Sequence, residues 1–376
     1  MRILLIGNYP PDKQESMLRY ADLMRRELAA RGHDVTLLQP RPIFASSRST
    51  TSGLGKWLGY VDKFVFFPFT LKRTRKGYDV VHICDHSNSM YSKYLTGIPN
   101  VTTCHDVLAI KSALGEVPQN QVSATGRKLQ QFILNGLRKS QYIVCDSEIS
   151  QEDMLRITGR PAETSTVVYL SLGYPYQPTQ PEIAVERLDK LGYDARTPFF
   201  FHVGAAAWYK NRLGVVQIFD QLQKLLAPAT PRLLFVGGAL EPEVQSYLKE
   251  AGIETRVTRL TGLSNEDLQA AYSLAEGLIF PSLQEGFGWP VIEAQSCGCP
   301  VFATGRKPMT ELGGDAAVYF DPANVEEAAQ IIAAALPNRA AIRQAGFVNL
   351  ARFTVEQMID GYMRAYQHVI SATNYN

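Results

Sequence analysis

The sequence predicts an α/β chain of two Rossmann-like domains in tandem, facing each other across a cleft. Three observations carry this: short apolar runs alternate with helical patterns over almost the whole length, a proline-rich and glycine-rich stretch interrupts the series near its middle, and 376 residues suffice for two cores. In the first half the strand candidates are residues 2–6, 34–38, 79–83, 100–104, 141–145 and 166–170. Most are uninterrupted apolar runs, as parallel strands covered on both faces require. A helical segment at 16–31 follows the first strand, with Met17, Leu18, Ala21, Met24 and Leu28 at helical spacing before Gly32. Residues 171–198 hold Gly173, Pro175, Pro178, Pro181 and Pro198, a density of breakers that suits a linker. The second series of strands is 199–203, 232–236, 255–260, 277–280, 300–303 and 316–320, with helical patterns at 241–251, 265–275 and 325–335. In open sheets of this kind ligands bind beyond the carboxyl ends of the strands.

Composition narrows the class of function. The chain is 45% hydrophobic and 20% charged, and 38 Lys plus Arg against 36 Asp plus Glu leave a formal charge of +2. That balance excludes a disordered chain and argues against a nucleic-acid partner, which calls for a larger basic excess. Cys84, Cys104, Cys145, Cys297 and Cys299 are too scattered for a disulfide framework, and buried free thiols in a reducing compartment are expected. Cys297-Gly298-Cys299 lacks the second ligand pair of a zinc site, so no metal site is expected. The apolar run 3–6 is too short for a signal-peptide core, and no run nears the ~18 apolar residues of a membrane span. A cytoplasmic protein, able to lie at the inner face of a membrane, is the expectation.

The sharpest constellation is Pro281-Ser282-Leu283-Gln284-Glu285-Gly286-Phe287-Gly288-Trp289-Pro290-Val291-Ile292-Glu293-Ala294. A buried strand runs into a glycine-rich turn, and Pro290 suits the first position of the helix that follows. Backbone N–H groups of Gly286, Phe287 and Gly288 beside a helix N-terminus form a site for a phosphate or a carbohydrate oxygen. Glu293, one turn into the helix, can accept from two vicinal hydroxyls, as a ribose presents, while Glu285 sits on the turn. The bland reading is a glutamate on a surface helix; the flanking glycines and the strand-turn-helix context weigh against it.

This block resembles the retaining glycosyltransferases of family four, also called group 1, which have the GT-B fold. The seven residues between Glu285 and Glu293 match that family's E-x7-E pattern. Thr261-Gly262-Leu263-Ser264, Asp267-Leu268, Gly298-Cys299-Pro300-Val301, Glu311-Leu312-Gly313-Gly314-Asp315 and Asp321-Pro322 are similar to the family as well. The resemblance implies that Glu293 holds the nucleotide ribose, that Glu285 contacts the donor sugar, that the amides of Gly286, Phe287 and Gly288 approach sugar and diphosphate, and that Gly262, Leu263 and Ser264 line the base pocket. It also implies an N-terminal acceptor-binding domain at 1–172, completed by a helix of about 355–376, and a C-terminal donor-binding domain at 173–354.

After the strand 199–203 comes Gly204-Ala205-Ala206-Ala207-Trp208-Tyr209-Lys210-Asn211, where the resemblance assigns Lys210 to the leaving diphosphate. Many members carry Arg five residues before this Lys; here Ala205 stands there, and Arg212 is the substitute first in line. His105-Asp106 follows the strand 100–104, and the family often places such a histidine near the sugar at the reaction centre. Of six histidines it is read as the one at a strand tip beside a carboxylate, whereas His82 and His202 lie within strands and read as core. The catalytic candidates are therefore His105, Lys210 and Glu285, with Gly204, Lys210, Asn211, the 262–264 and 285–288 groups and Glu293 holding the donor.

Relatives commonly have Gly-Gly where this chain has Glu15-Ser16; Ser16 is expected to cap the first helix, and Glu15 argues against a phosphorylated acceptor. Residues 53–78 combine Trp57, Tyr60, Phe64, Phe66, Phe67 and Phe69 with Lys56, Lys63, Lys72, Arg73, Arg75 and Lys76. Packing onto the sheet is the preferred reading of these aromatics, contact with an anionic membrane and a lipid-linked acceptor the other. No Asp-x-Asp occurs, so metal-independent chemistry with no cofactor is expected, cationic side chains and helix-end amides stabilising the leaving group. The whole reads as a retaining transferase that moves a sugar from a UDP-, GDP- or ADP-sugar to a hydroxyl of a saccharide or lipid-linked glycan, in polysaccharide or glycolipid biosynthesis. A catalytically silent sugar-nucleotide-binding protein on the same fold is the alternative. A Rossmann oxidoreductase fails at Gly7-Asn8-Tyr9-Pro10-Pro11, which is no dinucleotide fingerprint.

Overall fold

The computed structural model describes residues 1–44 and 53–374. The chain divides into two units, one of Met1–Gly173 with Val355–Asn376 and one of Tyr174–Thr354. In the first, β1 Arg2–Ile6, β2 Asp34–Leu38, β3 Val80–Ile83, β4 Asn100–Cys104, β5 Tyr142–Cys145 and β6 Ser165–Val167 form a parallel sheet in the order β2-β1-β3-β4-β5-β6. In the second, β7 Phe199–Val203, β8 Arg232–Val236, β9 Val257–Leu260, β10 Gly277–Phe280, β11 Val301–Thr304 and β12 Val318–Phe320 are parallel in the order β12-β11-β10-β7-β8-β9. Both are the doubly wound α/β sheets that the continuous apolar runs predict. Ile3, Leu4, Leu5 and Ile6 are fully buried, as are Phe199 and Phe201, because helices cover both faces. β9 and β12 start two residues later than expected, where Glu254–Arg256 and Gly314–Ala316 coil into single 3-10 turns.

The sequence of each sheet reverses direction once. In the first unit this switch point lies between β1 and β3, and in the second between β7 and β10. Loops leaving the two flanking strands diverge there, and the crevice beyond their carboxyl ends is where such sheets bind ligands.

Three local expectations change. The supposed linker contains a helix, Pro181–Lys190, started by Pro181 and burying Ala184 and Leu188; its Arg187 pairs with Asp267 at 3.0 Å, so this segment packs within the second unit. The first helix begins at Glu15, with Gln14 in the cap position, so Ser16 lies inside the first turn and does not cap it. The aromatic segment 53–78 packs only in part. It forms a helix, Gly53–Val61, a π-helical turn, Asp62–Phe66, and a further helix, Phe67–Thr74. The buried Asp62 accepts from Tyr9 Oη at 2.7 Å and from the N–H groups of Ile43 and Phe44 at 3.2 and 3.1 Å. Satisfying that carboxylate turns one side inward with Phe67 and Leu71 and leaves Trp57, Phe66 and Phe69 on the exposed side.

The last helix, Val355–Asn374, covers the first sheet. Its buried Tyr366 and Tyr362 hydroxyls meet His82 Nδ1 at 2.8 Å and Thr103 Oγ1 at 3.0 Å. His82 is a core histidine, its pKa lowered to about 3 by burial. Among the described residues no helix is long and apolar enough to cross a membrane.

Candidate active site

In the second unit the loops after β7 and β10 are stitched together at the switch point. The Leu283 N–H donates to the Tyr209 carbonyl at 2.7 Å, and Asn211 Nδ2 donates to the Pro281 carbonyl at 3.2 Å. Asn211 takes a left-handed conformation, φ 50°, and caps the helix Arg212–Leu225 by accepting from Gly214 N–H. Lys210, just before it, reaches Glu285 on the facing loop, Nζ to Oε1 2.7 Å, with both side chains about nine-tenths buried. The ammonium also lies over the Phe280 ring at 5.1 Å. Gly204 lies under this arrangement: a Cβ there would stand 3.3 Å from Lys210 Cδ. The structure thus brings Gly204, Lys210, Asn211 and Glu285 together.

The turn that follows Glu285 ends at Gly288, whose φ of 106° only glycine adopts without strain, and the helix Trp289–Ser296 starts immediately after it. Pro290 occupies the second helical position, where no N–H is needed. The N–H groups of residues 286–288 therefore belong to a turn at a helix N-terminus, where anions and polar oxygens are favoured. One turn on, the half-buried Glu293 accepts from Tyr272 Oη at 3.0 Å, a buried donor that fixes the carboxylate's orientation. Gly262, Leu263 and Ser264 form the loop after β9; Ser264 is the N-cap of Asn265–Leu274, in a reciprocal capping box with Asp267. Its hydroxyl is thus committed to the helix end.

Ala205 is exposed and supplies no charge. Arg212, the expected substitute, is buried instead: its guanidinium donates to the carbonyls of Gly238 and Ala239 at 3.1 Å each and lies 3.5 Å from Glu241. It secures the loop after β8, which leaves Lys210 as the cation of the β7–β10 crevice. His202, within β7, donates from Nδ1 to the Ile279 carbonyl at 2.9 Å and has its pKa lowered to about 3 by burial, a core residue.

His105 belongs to the first unit, at the end of β4. Its Nδ1 lies 3.0 Å from Asp146 Oδ2 and its Nε2 3.0 Å from the Cys84 carbonyl. With an acceptor at each nitrogen the doubly protonated ring is the satisfied one; burial opposes that charge, but Asp146 outweighs it and the pKa is raised. His105 is therefore buried, with both ring nitrogens already engaged.

Sequence reasoning missed a neighbour. His86 follows β3 as His105 follows β4, and Asp85 beside it makes an ion pair, Nδ1 to Oδ1 3.2 Å. Burial disfavours the charged ring, yet Asp85 raises its pKa to about 10. Asn8, at the end of β1, donates to Asp85 from across the first switch point. The close approach of the helix Ala124–Lys139 holds this turn: a Cβ at Gly136 would stand 2.3 Å from the Ser89 carbonyl carbon. The signal was present in the sequence, since Asp85-His86 also ends an apolar strand. Nothing in sequence spacing alone aims Tyr272 at Glu293.

The family profile described as Glycosyl transferases group 1 matches residues 186–350, and that described as Glycosyltransferase Family 4 matches residues 17–171. Among curated proteins the chain is 27% identical to the O-antigen chain mannosyltransferase B of Escherichia coli over 60% of its own length and 58% of that protein's. It is also 27% identical to the D-inositol 3-phosphate glycosyltransferase of Mycobacterium sp. strain KMS, over 73% of this chain and 62% of that one. The match thus spans about three-fifths of these relatives' length. Among solved structures, sucrose-phosphate synthase from Thermosynechococcus elongatus superposes with a TM-score of 0.76 at 18% identity, covering 99% of this chain and 100% of that chain. Anabaena HepE in complex with UDP and glucose gives 0.72 at 19% identity, covering 98% and 99%. At these identities the structural likeness speaks to the fold.

Proposed function

The chain belongs to the group 1, family 4 glycosyltransferases, and from that premise we propose that it moves a sugar from a nucleoside-diphosphate donor to an acceptor hydroxyl with retention of anomeric configuration. The observation that carries the reading is the β7–β10 crevice, where Lys210, Glu285 and a glycine turn at a helix N-terminus converge on one switch point. The second unit binds the donor. Ribose hydroxyls donate to Glu293, held by Tyr272, and the diphosphate takes the turn amides and Lys210. Glu285 keeps the ammonium over Phe280 before the donor arrives and accepts from a sugar hydroxyl when it is bound. Holding the cation in place beforehand removes the cost of ordering it as the leaving group gains charge.

The bond from the anomeric carbon to the diphosphate oxygen breaks, the acceptor oxygen bonds to that carbon from the same face, and its proton passes to the departing phosphate oxygen. No side-chain base is needed for that transfer. UDP and glucose bound to HepE, and the mannosyltransferase relative, support a nucleotide hexose as donor and a saccharide or lipid-linked glycan as acceptor. Proton NMR of the product made from an α-linked donor tests the reading. The anomeric coupling of an α-linked product is expected; a β-linked product would mean backside attack and reopen the search for a base. Binding of sugar nucleotides without any turnover would instead favour the silent binding protein.

A further inference from the structure

The helical segment Gly53–Val61, Asp62–Phe66 and Phe67–Thr74 packs against the loop after β1 through Asp62 and Lys63, and its outward side has an unusual surface. Trp57 is 59% exposed, Val65 48%, Phe66 40% and Phe69 62%. Beside Phe66 stand Ile43 and Phe44, 55% and 46% exposed, fixed there by their backbone bonds to Asp62. The Phe44 and Phe66 rings meet with centroids 5.1 Å apart. Single exposed apolar side chains are ordinary, but six large ones within one helical segment and the turn fastened to it are a concentration, and exposed apolar surface of this extent marks interaction surfaces.

Charge identifies the partner. Residues 53–78 contain six basic side chains and one acidic, Asp62, which is buried. Lys63 pairs with Asp12 and Arg75 donates to the Tyr94 carbonyl, whereas Lys56, Lys72, Arg73 and Lys76 are exposed and form no ion pair among the described residues. The chain as a whole is nearly neutral, so this is a local concentration of positive charge and not a general affinity for polyanions. Aromatic side chains standing out among lysines suit the bilayer interface, where rings enter the acyl boundary and ammonium groups reach lipid phosphates.

We infer that the 53–78 segment is a membrane-docking surface that lies on an anionic bilayer, with Trp57, Phe66 and Phe69 inserted and Lys56, Lys72, Arg73 and Lys76 at the headgroups. It goes beyond the transferase reading and does not rest on it. The full chain is sedimented with vesicles of phosphatidylcholine alone and of equal parts phosphatidylcholine and phosphatidylglycerol. Binding to the mixed vesicles that weakens with added salt is expected, and the combined variant Trp57→Ser, Phe66→Ser, Phe69→Ser lowers it roughly tenfold or more. Because these side chains are exposed, the variant keeps its melting temperature. Should it melt lower, Lys72→Gln, Arg73→Gln, Lys76→Gln gives the same readout, a loss of the preference for anionic vesicles, without touching the aromatics. Equal binding to both vesicles, unchanged binding in either variant, or a dimer dissolved by the aromatic variant and unaffected by vesicles would each overturn the inference, the last by making a second copy the occupant.

Discussion

The two units share one plan and differ at their switch points. Between β7 and β10 the second unit presents a glycine turn, a helix N-terminus and one ammonium that spans the facing loops. Between β1 and β3, and on to β5, the first unit presents side chains that hold one another: Asn8 with Asp85, Asp85 with His86, His105 with Asp146. Backbone amides and a cation suit a diphosphate. A cluster of Asp85, Asp106 and Asp146 against His86 and His105 has no surplus positive charge, and suits a neutral polyhydroxyl ligand such as the proposed saccharide acceptor. The topology decides where a ligand goes, and the residues at the strand ends decide which. The units differ a second way: the second continues from β8 to β9, whereas after β2 the first turns to the exposed helical segment before β3.

If that contrast is right, the largest effect belongs to Lys210. With Ala205 uncharged and Arg212 committed to carbonyls, Lys210→Ala should remove on the order of 2 to 4 kcal/mol of transition-state stabilisation, a rate loss of roughly thirtyfold to a thousandfold. Initial-rate measurement at saturating donor decides it, and a loss below tenfold would move charge neutralisation elsewhere. Glu293→Ala comes next. Losing hydrogen bonds to a carboxylate should weaken nucleoside diphosphate binding by about 1.5 to 3 kcal/mol in calorimetric titration, with Tyr272→Phe doing the same more weakly. Unchanged binding with an intact fold would break the donor assignment to the second unit.

How much of this was legible follows the same divide. Strands show as apolar runs because burial on both faces forces them, and the glycine turn shows because few sequences place Gly286, Gly288 and Pro290 around a strand end. Strand order does not show, since it depends on which edges pair across long connections. Nor does commitment: Ser264 and Arg212 look available in the sequence, and only packing reveals that one caps a helix and the other secures the loop at Gly238 and Ala239. The aromatic segment was misjudged because composition cannot say which rings face inward. One buried carboxylate, Asp62, settles that by where its donors lie.

The paired charges of the first unit give a stability signature of their own. His86 has a folded pKa of about 10, above the ordinary ~6.5 of an unfolded chain. A raised pKa stabilises the fold fully below the unfolded value and loses that contribution as pH climbs through the folded one. The difference in unfolding free energy between the parent and His86→Gln should therefore be greatest below pH ~6.5 and shrink by up to about 1.4 kcal/mol per pH unit towards pH ~10. Denaturant titrations across that range measure it, and taking the difference cancels every titration common to both proteins. A difference that does not vary with pH would show His86 to be neutral, and the first switch point to be less fully paired than its geometry implies.

The smallest expected effect is none at all, and it tests the contrast from the other side. If Lys210 and the turn amides of residues 286–288 are what offset the diphosphate, the second unit has no need of a divalent cation. The sequence agrees, since no Asp-x-Asp occurs to hold one. Sugar transfer by the parent protein should proceed at an unchanged rate in excess EDTA. The stronger form uses Lys210→Ala: if magnesium raises the variant's rate but not the parent's, a cation from solution is replacing the lost ammonium at the phosphate oxygens. Loss of parental activity in EDTA, restored by magnesium or manganese, would mean that backbone amides and one lysine do not suffice to offset the diphosphate.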